Sequence, residues 1–118
     1  MIEKLNNNNN AIIRVLNDLK EKGTFIGFLF IDRNGEIICD NLTVDIDSKK
    51  FASMCASVLE SALGLGQTIG SQKINKIIAE LDDITVLIIQ MKDSKNFISF
   101  ILGDDSDASF FEYLESYI

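Results

Sequence analysis

Histidine is absent from this chain of 118 residues. Without it the protein lacks the commonest general base near neutral pH, the usual partner of a serine or cysteine nucleophile and the commonest transition-metal ligand. Proline is absent too, so no helix or strand contains the residue that removes a backbone hydrogen-bond donor. We therefore expect unbroken regular structure and a protein that is not an enzyme.

Positive charge is also scarce. Eleven Lys and Arg residues stand against 18 Asp and Glu residues, and the net charge is −7. Nucleic-acid binding needs clustered cations, but Lys49 and Lys50 form the only adjacent basic pair. The longest apolar run, Phe25 to Ile31, is much shorter than the roughly 20 residues that span a bilayer, and the first residues do not resemble a signal peptide. We expect a cytoplasmic protein that neither binds nucleic acid nor inserts into a membrane.

Residues that commonly build cofactor or metal sites are few or poorly placed. Cys39 and Cys55 lie in apolar stretches and are not spaced as a metal-ligand pair, so we expect two buried thiols. The segment from Gly64 to Gly70 matches GxGxxxG, but it is predicted at the end of a helix, where free N–H groups for a phosphate are missing. We predict no catalytic residue, no metal ion and no cofactor.

Hydrophobic periodicity divides the chain into helices and strands. The predicted elements are a helix from Asn10 to Lys22, a strand from Phe25 to Ile31, a strand beginning at Glu36, a helix from Asp47 to Ile69, strands Ile74 to Leu81, Ile84 to Met91 and Asn96 to Leu102, and a helix from about Asp107. The dipeptide Asn34-Gly35 predicts a type I′ hairpin turn. This order, α-β-β-α-β-β-β-α, predicts an α/β (α+β) fold: a five-stranded antiparallel sheet with helices on both faces. Residues 1–10 are predicted as a flexible asparagine-rich extension and residues 11–118 as a single domain.

The helix after the second strand carries more apolar surface than one sheet can cover. Its apolar residues span an arc of roughly 200°, whereas a helix on a core normally presents about 100° and upwards. One strip contains Phe51, Met54, Cys55, Val58, Ala62 and Leu65. The second strip contains Ala52, Ala56, Leu59 and Leu63. Either another part of the chain, such as the first helix, covers the second strip, or a second copy covers it across a two-fold axis. We prefer the second copy, because two-fold dimers are the commonest oligomers.

One segment carries a family resemblance. Gly27 to Ile38 reads as an apolar strand, an Asp-Arg-Asn-Gly hairpin and a second apolar strand, and it resembles the roadblock/dynein light-chain family. The order of the elements and the small residues of the long helix add to the likeness, which covers roughly Ala11 to Leu102. The Asp82-Asp83 turn departs from the family pattern, in which this turn often contains glycine.

The resemblance implies a non-enzymatic module that pairs through the long helix and through edge strand 3. The implied dimer interface is Ala52, Ala56, Leu59, Leu63, Ile74 and Ile78. It also implies a Ras-like small GTPase as partner, contacted by the exposed rim of the paired helices. The candidate contact residues on that rim are Lys49, Lys50, Ser53, Ser57, Glu60 and Ser61.

Two other functions stay open. The chain could be an adaptor subunit that pairs with another roadblock-like chain and contacts no GTPase. It could also be a ligand-sensing domain of the PAS or profilin-like kind, since those folds surround a similar sheet with helices. A sensor needs a cavity with a few convergent polar groups, whereas Thr85 and Ser99 are nearly the only polar residues predicted in the core strands.

Overall fold

The computed structural model describes residues 10–21, 26–43, 45–91 and 95–103. The elements in chain order are α1 (Asn10–Glu21), β1 (Gly27–Ile31), β2 (Ile37–Leu42), α2 (Ser48–Gln67), β3 (Ile77–Glu80), β4 (Ile84–Gln90) and β5 (Phe97–Gly103). This order agrees with the prediction as far as β5. The helix predicted from Asp107 and the extension before Asn10 lie outside the described residues, and Asn10 itself begins α1.

The strands form one five-stranded sheet in the order β2-β1-β5-β4-β3. Every neighbouring pair is antiparallel. The long uninterrupted apolar strand, β1, lies inside the sheet, where burial on both faces suits a segment without polar alternation. The predicted five-stranded antiparallel sheet is therefore confirmed, and β2 and β3 are its two edges.

Each face of the sheet is covered by a helix, as predicted. On one face α1 inserts Leu16, which is fully buried, into a cluster with Phe28 and Phe100. On the other face α2 contributes Ala52, Cys55 and Leu59. Each fully buried phenylalanine or leucine of these clusters contributes about 1.5–3 kcal/mol relative to an exposed one. The two layers hold the sheet between them and leave β3, at one edge, largely outside both.

The hairpin between β1 and β2 differs from the predicted type I′ turn. Gly35 has a φ of 87°, but Asn34 does not have a positive φ, as a type I′ turn would require. The Gly35 N–H donates to the Asp32 carbonyl at 3.0 Å and the Asp32 N–H to the Glu36 carbonyl at 2.9 Å. One carboxylate oxygen of Asp32 also accepts from the Asn34 and Glu36 N–H groups. The turn is therefore a three-residue loop with a left-handed glycine, which Asp32 stabilises.

The segment after α2 folds back onto the helix instead of starting a strand at once. Asp47 caps the start of α2, where its side chain accepts from the Lys50 N–H at 3.2 Å. At the other end the Gly66 carbonyl accepts from the Gln72 N–H at 2.9 Å. The chain is thus still held at the end of α2 at Gln72, and β3 begins at Ile77 and not at Ile74, as predicted.

One polar side chain lies at the centre of the sheet. Ser99 on β5 is fully buried and pairs with Leu29 and Ile88 on the neighbouring strands. Its hydroxyl faces Cys55, whose pKa is raised by burial and partly lowered again by that hydroxyl. A thiol is a weak hydrogen-bonding group, and Ser99 Oγ has no hydrogen bond that meets ordinary geometry within the described part of the chain.

We expect Ser99→Ala to stabilise the protein. An unsatisfied buried hydroxyl costs about 1–3 kcal/mol, and alanine removes it with almost no change in volume. The expected gain is about 1 kcal/mol in the free energy of unfolding, or a few degrees in Tm. Urea denaturation of wild type and variant measures it, and a clear loss of stability would show that the hydroxyl does have a strong partner.

Candidate protein-interaction surface

The outer face of α2 carries large apolar side chains that no part of the described chain covers. Met54, Val58 and Leu65 are 60%, 45% and 66% exposed, and Ile69, just past the helix, is 64% exposed. Their successive spacings of four, seven and four residues, with half-buried Ala62 between Val58 and Leu65, place them on one side of the helix. We call Met54, Val58, Leu65 and Ile69 the α2 stripe. Such a contiguous exposed apolar surface is typical of a site that another molecule covers.

The strip of α2 that meets the sheet therefore differs from the predicted one, because it combines Ala52 and Leu59 of the second strip with Cys55 of the first. Ala52 and Leu59 are 0% and 1% exposed and pack against β1, β4 and β5. Ala56 and Leu63 border the same contact and are half-buried. Ala52 and Leu59 belong to the core of their own chain, which corrects the prediction that they face a second copy. A charge at Ala56 would disturb this packing, so it would not be a clean probe of an interface.

The β3 edge carries further exposed apolar side chains. Ile78 is 54% exposed and Leu81, next to the strand, is 62% exposed. Ile74, predicted with Ile78 at the interface, lies before the strand, is half-buried and lines a cleft of about 780 Å³ at the end of α2. The opposite edge of the sheet is strand β2, and it is less suited to pairing with another strand. Its register with β1 is irregular at the end of β1. Such irregularities protect edge strands from further pairing.

A polar groove lies between α2 and the β1–β2 hairpin. Its volume is about 410 Å³. Its lining residues are Arg33, Asn34, Ser53, Ala56, Ser57, Glu60 and Ser61. The hairpin approaches α2 closely, because a Cβ added at Gly35 would lie 3.3 Å from the Cα of Ser53. Glycine at this position therefore allows both the turn and the narrow wall of the groove.

Four of the six predicted contact residues line this groove, and all four are exposed: Ser53, Ser57, Glu60 and Ser61. Lys49 and Lys50 are exposed as well but lie outside it. Arg33 reaches the groove from the hairpin, and its Nη2 lies 3.9 Å from Glu60 Oε2. With Glu60 75% exposed, this ion pair is weak and leaves Arg33 available to a partner.

Sequence reasoning missed Arg33 and Asn34 as members of the groove. The signal lay in the hairpin glycine and the small residues of α2, which together allow a close approach. The groove contains serine hydroxyls, one amide and one charge of each sign. These groups can donate and accept hydrogen bonds with the surface of another protein.

The two thiols differ in their surroundings but share a raised pKa. Burial raises the pKa of both Cys39 and Cys55, and the charge of Asp40 raises that of Cys39 further. Both thiols are therefore protonated and poorly nucleophilic at neutral pH. Across the ranges that the structure describes, no three Cys, Asp or Glu residues gather as metal ligands would. In those same ranges no helix has the length and apolar character needed to cross a bilayer.

Comparison with solved structures agrees with this architecture. MglB from Myxococcus xanthus superposes with a TM-score of 0.74 at 17% identity, over 85% of this chain and 82% of that one. The Roadblock/LC7 domain from Streptomyces avermitilis gives a TM-score of 0.66 at 16% identity, over 75% and 73% of the two chains. This chain has the roadblock fold. The gliding protein MglB from Thermus thermophilus shares the roadblock fold at a TM-score of 0.74 and 13% identity, over 88% and 79% of the chains.

The likeness is one of fold, because the sequences have diverged widely. No model of a protein family matches the sequence, and no curated protein matches it. A further similar structure, MglB with a tetrameric arrangement, has a TM-score of 0.76 at 13% identity, over 91% of this chain and 81% of that one. In this chain the large exposed apolar residues that the structure describes lie on or just after α2 and on or just after β3.

Proposed function

We propose that this chain is a non-enzymatic roadblock-type module that forms a homodimer, and that the dimer binds and regulates a Ras-like small GTPase. The observation that carries the proposal is the α2 stripe, an exposed apolar surface on a chain whose sheet also has an open edge at β3. The resemblance of the Gly27 to Ile38 segment supports the choice of partner, because that family acts on small GTPases or within larger complexes. The roadblock fold agrees with the proposed homodimer and with the proposed partner.

The α2 stripe and the β3 edge suit a second copy of the same chain. A two-fold axis brings identical surfaces together, so two stripes would bury each other and two β3 strands would meet at their edges. Burying a side chain such as Leu65 contributes about 1.5–3 kcal/mol. Several such side chains on each copy favour a stable pair over an exposed apolar surface.

The groove lies beside the α2 stripe. Ser61, seven residues after Met54, borders the stripe, whereas Ser53 and Glu60 point away from it. We therefore expect the side of the groove nearest the hairpin to stay accessible in such a dimer. Consecutive residues of a helix point about 100° apart, so Ser57 in the groove and Val58 in the stripe face different directions. The polar groove is therefore our candidate contact for the GTPase. Its Arg33 and serine hydroxyls would bind polar groups on the partner surface.

Ser57→Arg tests the groove. A purified GTPase of the Ras-like class from the same cell, loaded with GDP or with a GTP analogue, is captured by the tagged chain. We expect the arginine to fill the groove and reduce capture by about tenfold or more, as interface substitutions at central positions do. The mass of the protein should stay that of a dimer.

Ala11→Arg is the matched control, because Ala11 is exposed on α1 and receives the same side chain. It should capture the GTPase as the wild type does. Equal capture by Ser57→Arg and wild type would remove the groove from the proposal. If the wild-type dimer captures no GTPase in either nucleotide state but retains another roadblock-like chain, the adaptor alternative replaces the GTPase part.

A further inference from the structure

Arg33 extends into the groove from a well-supported loop. One carboxylate oxygen of Asp32 accepts from two N–H groups of the same loop, at 2.8 and 3.0 Å. Gly35 brings the loop close to the α2 backbone at Ser53. The Arg33 side chain is 28% exposed, so most of its surface is covered by its own chain. The hairpin therefore presents this cation in a restricted position beside the helix.

The ion pair between Arg33 and Glu60 is loose. The Nη2 of Arg33 lies 3.9 Å from Glu60 Oε2, which is longer than a hydrogen bond between nitrogen and oxygen. A guanidinium has five N–H donors and can hold a carboxylate with two parallel hydrogen bonds. The contact with Glu60 is not of this kind, and the Glu60 side chain is 75% exposed. A carboxylate with better geometry can therefore replace Glu60 at Arg33.

Other side chains of the groove can donate hydrogen bonds to such a carboxylate. Ser53 and Ser57 are exposed and lie four residues apart on α2, on the helix face that Glu60 continues three residues later. Each hydroxyl can donate one hydrogen bond, and the Asn34 amide can donate two. Glu60 is the group that can only accept. The groove thus combines one cation with several donors, and its negative charge is largely in water.

We infer that Arg33 binds a carboxylate of the partner, an Asp or Glu side chain on the GTPase surface, and that Glu60 competes for Arg33 in the free protein. This inference rests on the proposed function and names the chemistry of the contact. In the complex the guanidinium and the serine hydroxyls donate to the partner's carboxylate, and Glu60 turns toward solvent. Hydrogen bonds between charged groups are stronger than neutral ones, so the groove selects an acidic side chain.

The charge of the whole chain defines the surroundings of that acidic side chain. With a net charge of −7, the chain repels a surface that is acidic throughout and attracts a basic one. Among the described residues that line the groove, Arg33 is the one basic residue. It matches the single charge of a carboxylate better than a phosphate group, which carries up to about two negative charges. The partner surface that fits is therefore one acidic side chain within a neutral or basic surrounding.

Substitutions at the two positions of the ion pair should have opposite effects on binding of the purified Ras-like GTPase. Arg33→Gln removes the cation, and we expect the dissociation constant to rise about tenfold or more as the charged hydrogen bonds are lost. Arg33→Lys keeps the charge without the planar fork and should lie between Arg33→Gln and wild type. Glu60→Gln removes the competing carboxylate and should lower the dissociation constant about threefold. Isothermal titration calorimetry measures all three, with the GTPase in the nucleotide state that wild type binds better.

Arg14→Gln and Glu21→Gln are the matched controls. Both residues are exposed on α1, on the opposite face of the sheet, and the two substitutions remove the same charges. We expect an unchanged dissociation constant for both. All variants should keep the Tm and the dimer mass of the wild type, because an exposed ion pair contributes little to stability.

Exchanging the two charges separates partner binding from a purely structural ion pair. Arg33→Glu combined with Glu60→Arg restores a pair between the same positions but moves the cation from the hairpin to the helix, so GTPase binding should stay weak. Binding at the wild-type level would overturn the inference.

A scan of the GTPase's own surface Asp and Glu residues to Ala locates the carboxylate. At the contacted position the substitution should weaken binding to wild type and have no further effect on Arg33→Gln.

The remaining outcomes distinguish this inference from the proposed function. Equal binding by Arg33→Gln and wild type would overturn the inference and leave the proposed function, which Ser57→Arg tests, intact. Weaker binding by Glu60→Gln would overturn the competing role of Glu60 and make that residue a contact of its own. A wild-type protein that binds no Ras-like GTPase would overturn the proposed function and this inference with it.

Discussion

Replacing Val58 with arginine should convert the homodimer into a folded monomer. Val58 lies in the middle of the α2 stripe and is 45% exposed in the single chain. A second copy would bury it, and an unpaired guanidinium has no partner in an apolar contact. Central interface positions cost about 2 kcal/mol or more when disrupted, which raises the dimer dissociation constant at least about 30-fold.

The measurement is sedimentation equilibrium over a range of concentrations, with a monomer mass of 13.2 kDa expected for the variant and twice that mass for the wild type. Ser57→Arg is the control, because it places the same side chain one residue earlier and outside the stripe. Both variants should keep the circular dichroism spectrum of the wild type. A Val58→Arg protein that remains dimeric would exclude the α2 stripe as the interface.

Local sequence patterns predict the elements well because local chemistry dictates them. The uninterrupted apolar run through β1 can be stable only between two covered faces, and it lies there. The sequence predicts that this helix begins at Asp47, and Asp47 is the residue that caps α2 by accepting from the Lys50 N–H. Both features depend on residues that lie only a few positions apart in the sequence.

The strip of α2 that meets the sheet could not be predicted in the same way. Ala52 and Leu59 on one side and Met54 and Val58 on the other are all apolar, so periodicity gives two equivalent solutions. The choice depends on how the helix lies across β1, β4 and β5. It also depends on the hairpin, where Gly35 lies against Ser53, a contact between residues far apart in sequence.

Turn chemistry shows a related ambiguity. A glycine after asparagine suits both a type I′ turn and a three-residue loop that ends in a left-handed glycine. The carboxylate of Asp32, which accepts two backbone N–H groups, decides between them. This selection places Arg33 and Asn34 on the wall of the groove, so a detail of the turn determines part of the candidate site.

Replacing Gly66 with alanine should destabilise the protein by about 2–4 kcal/mol, at the high end for a single methyl group. Gly66 is buried in the last turn of α2, and an added Cβ would overlap the backbone carbonyl oxygen of Gln72. That carbonyl belongs to backbone, so no side-chain rotation relieves the overlap. The segment from 68 to 76 must move away and lose the hydrogen bond from the Gln72 N–H to the Gly66 carbonyl. Urea denaturation measures the change in the free energy of unfolding.

Gly64→Ala makes the same substitution two residues earlier, and we expect it to raise the free energy of unfolding instead of lowering it. A Cβ at Gly64 meets nothing within 4 Å, and alanine in place of glycine stabilises a helix interior by about 0.5–1 kcal/mol. Equal effects of the two substitutions would show that the segment after α2 does not lie against the helix. Because that segment leads directly into β3, Gly66→Ala should also weaken self-association, whereas Gly64→Ala should not. The end of α2 thus connects the stability of the chain to the sheet edge through which we propose it pairs.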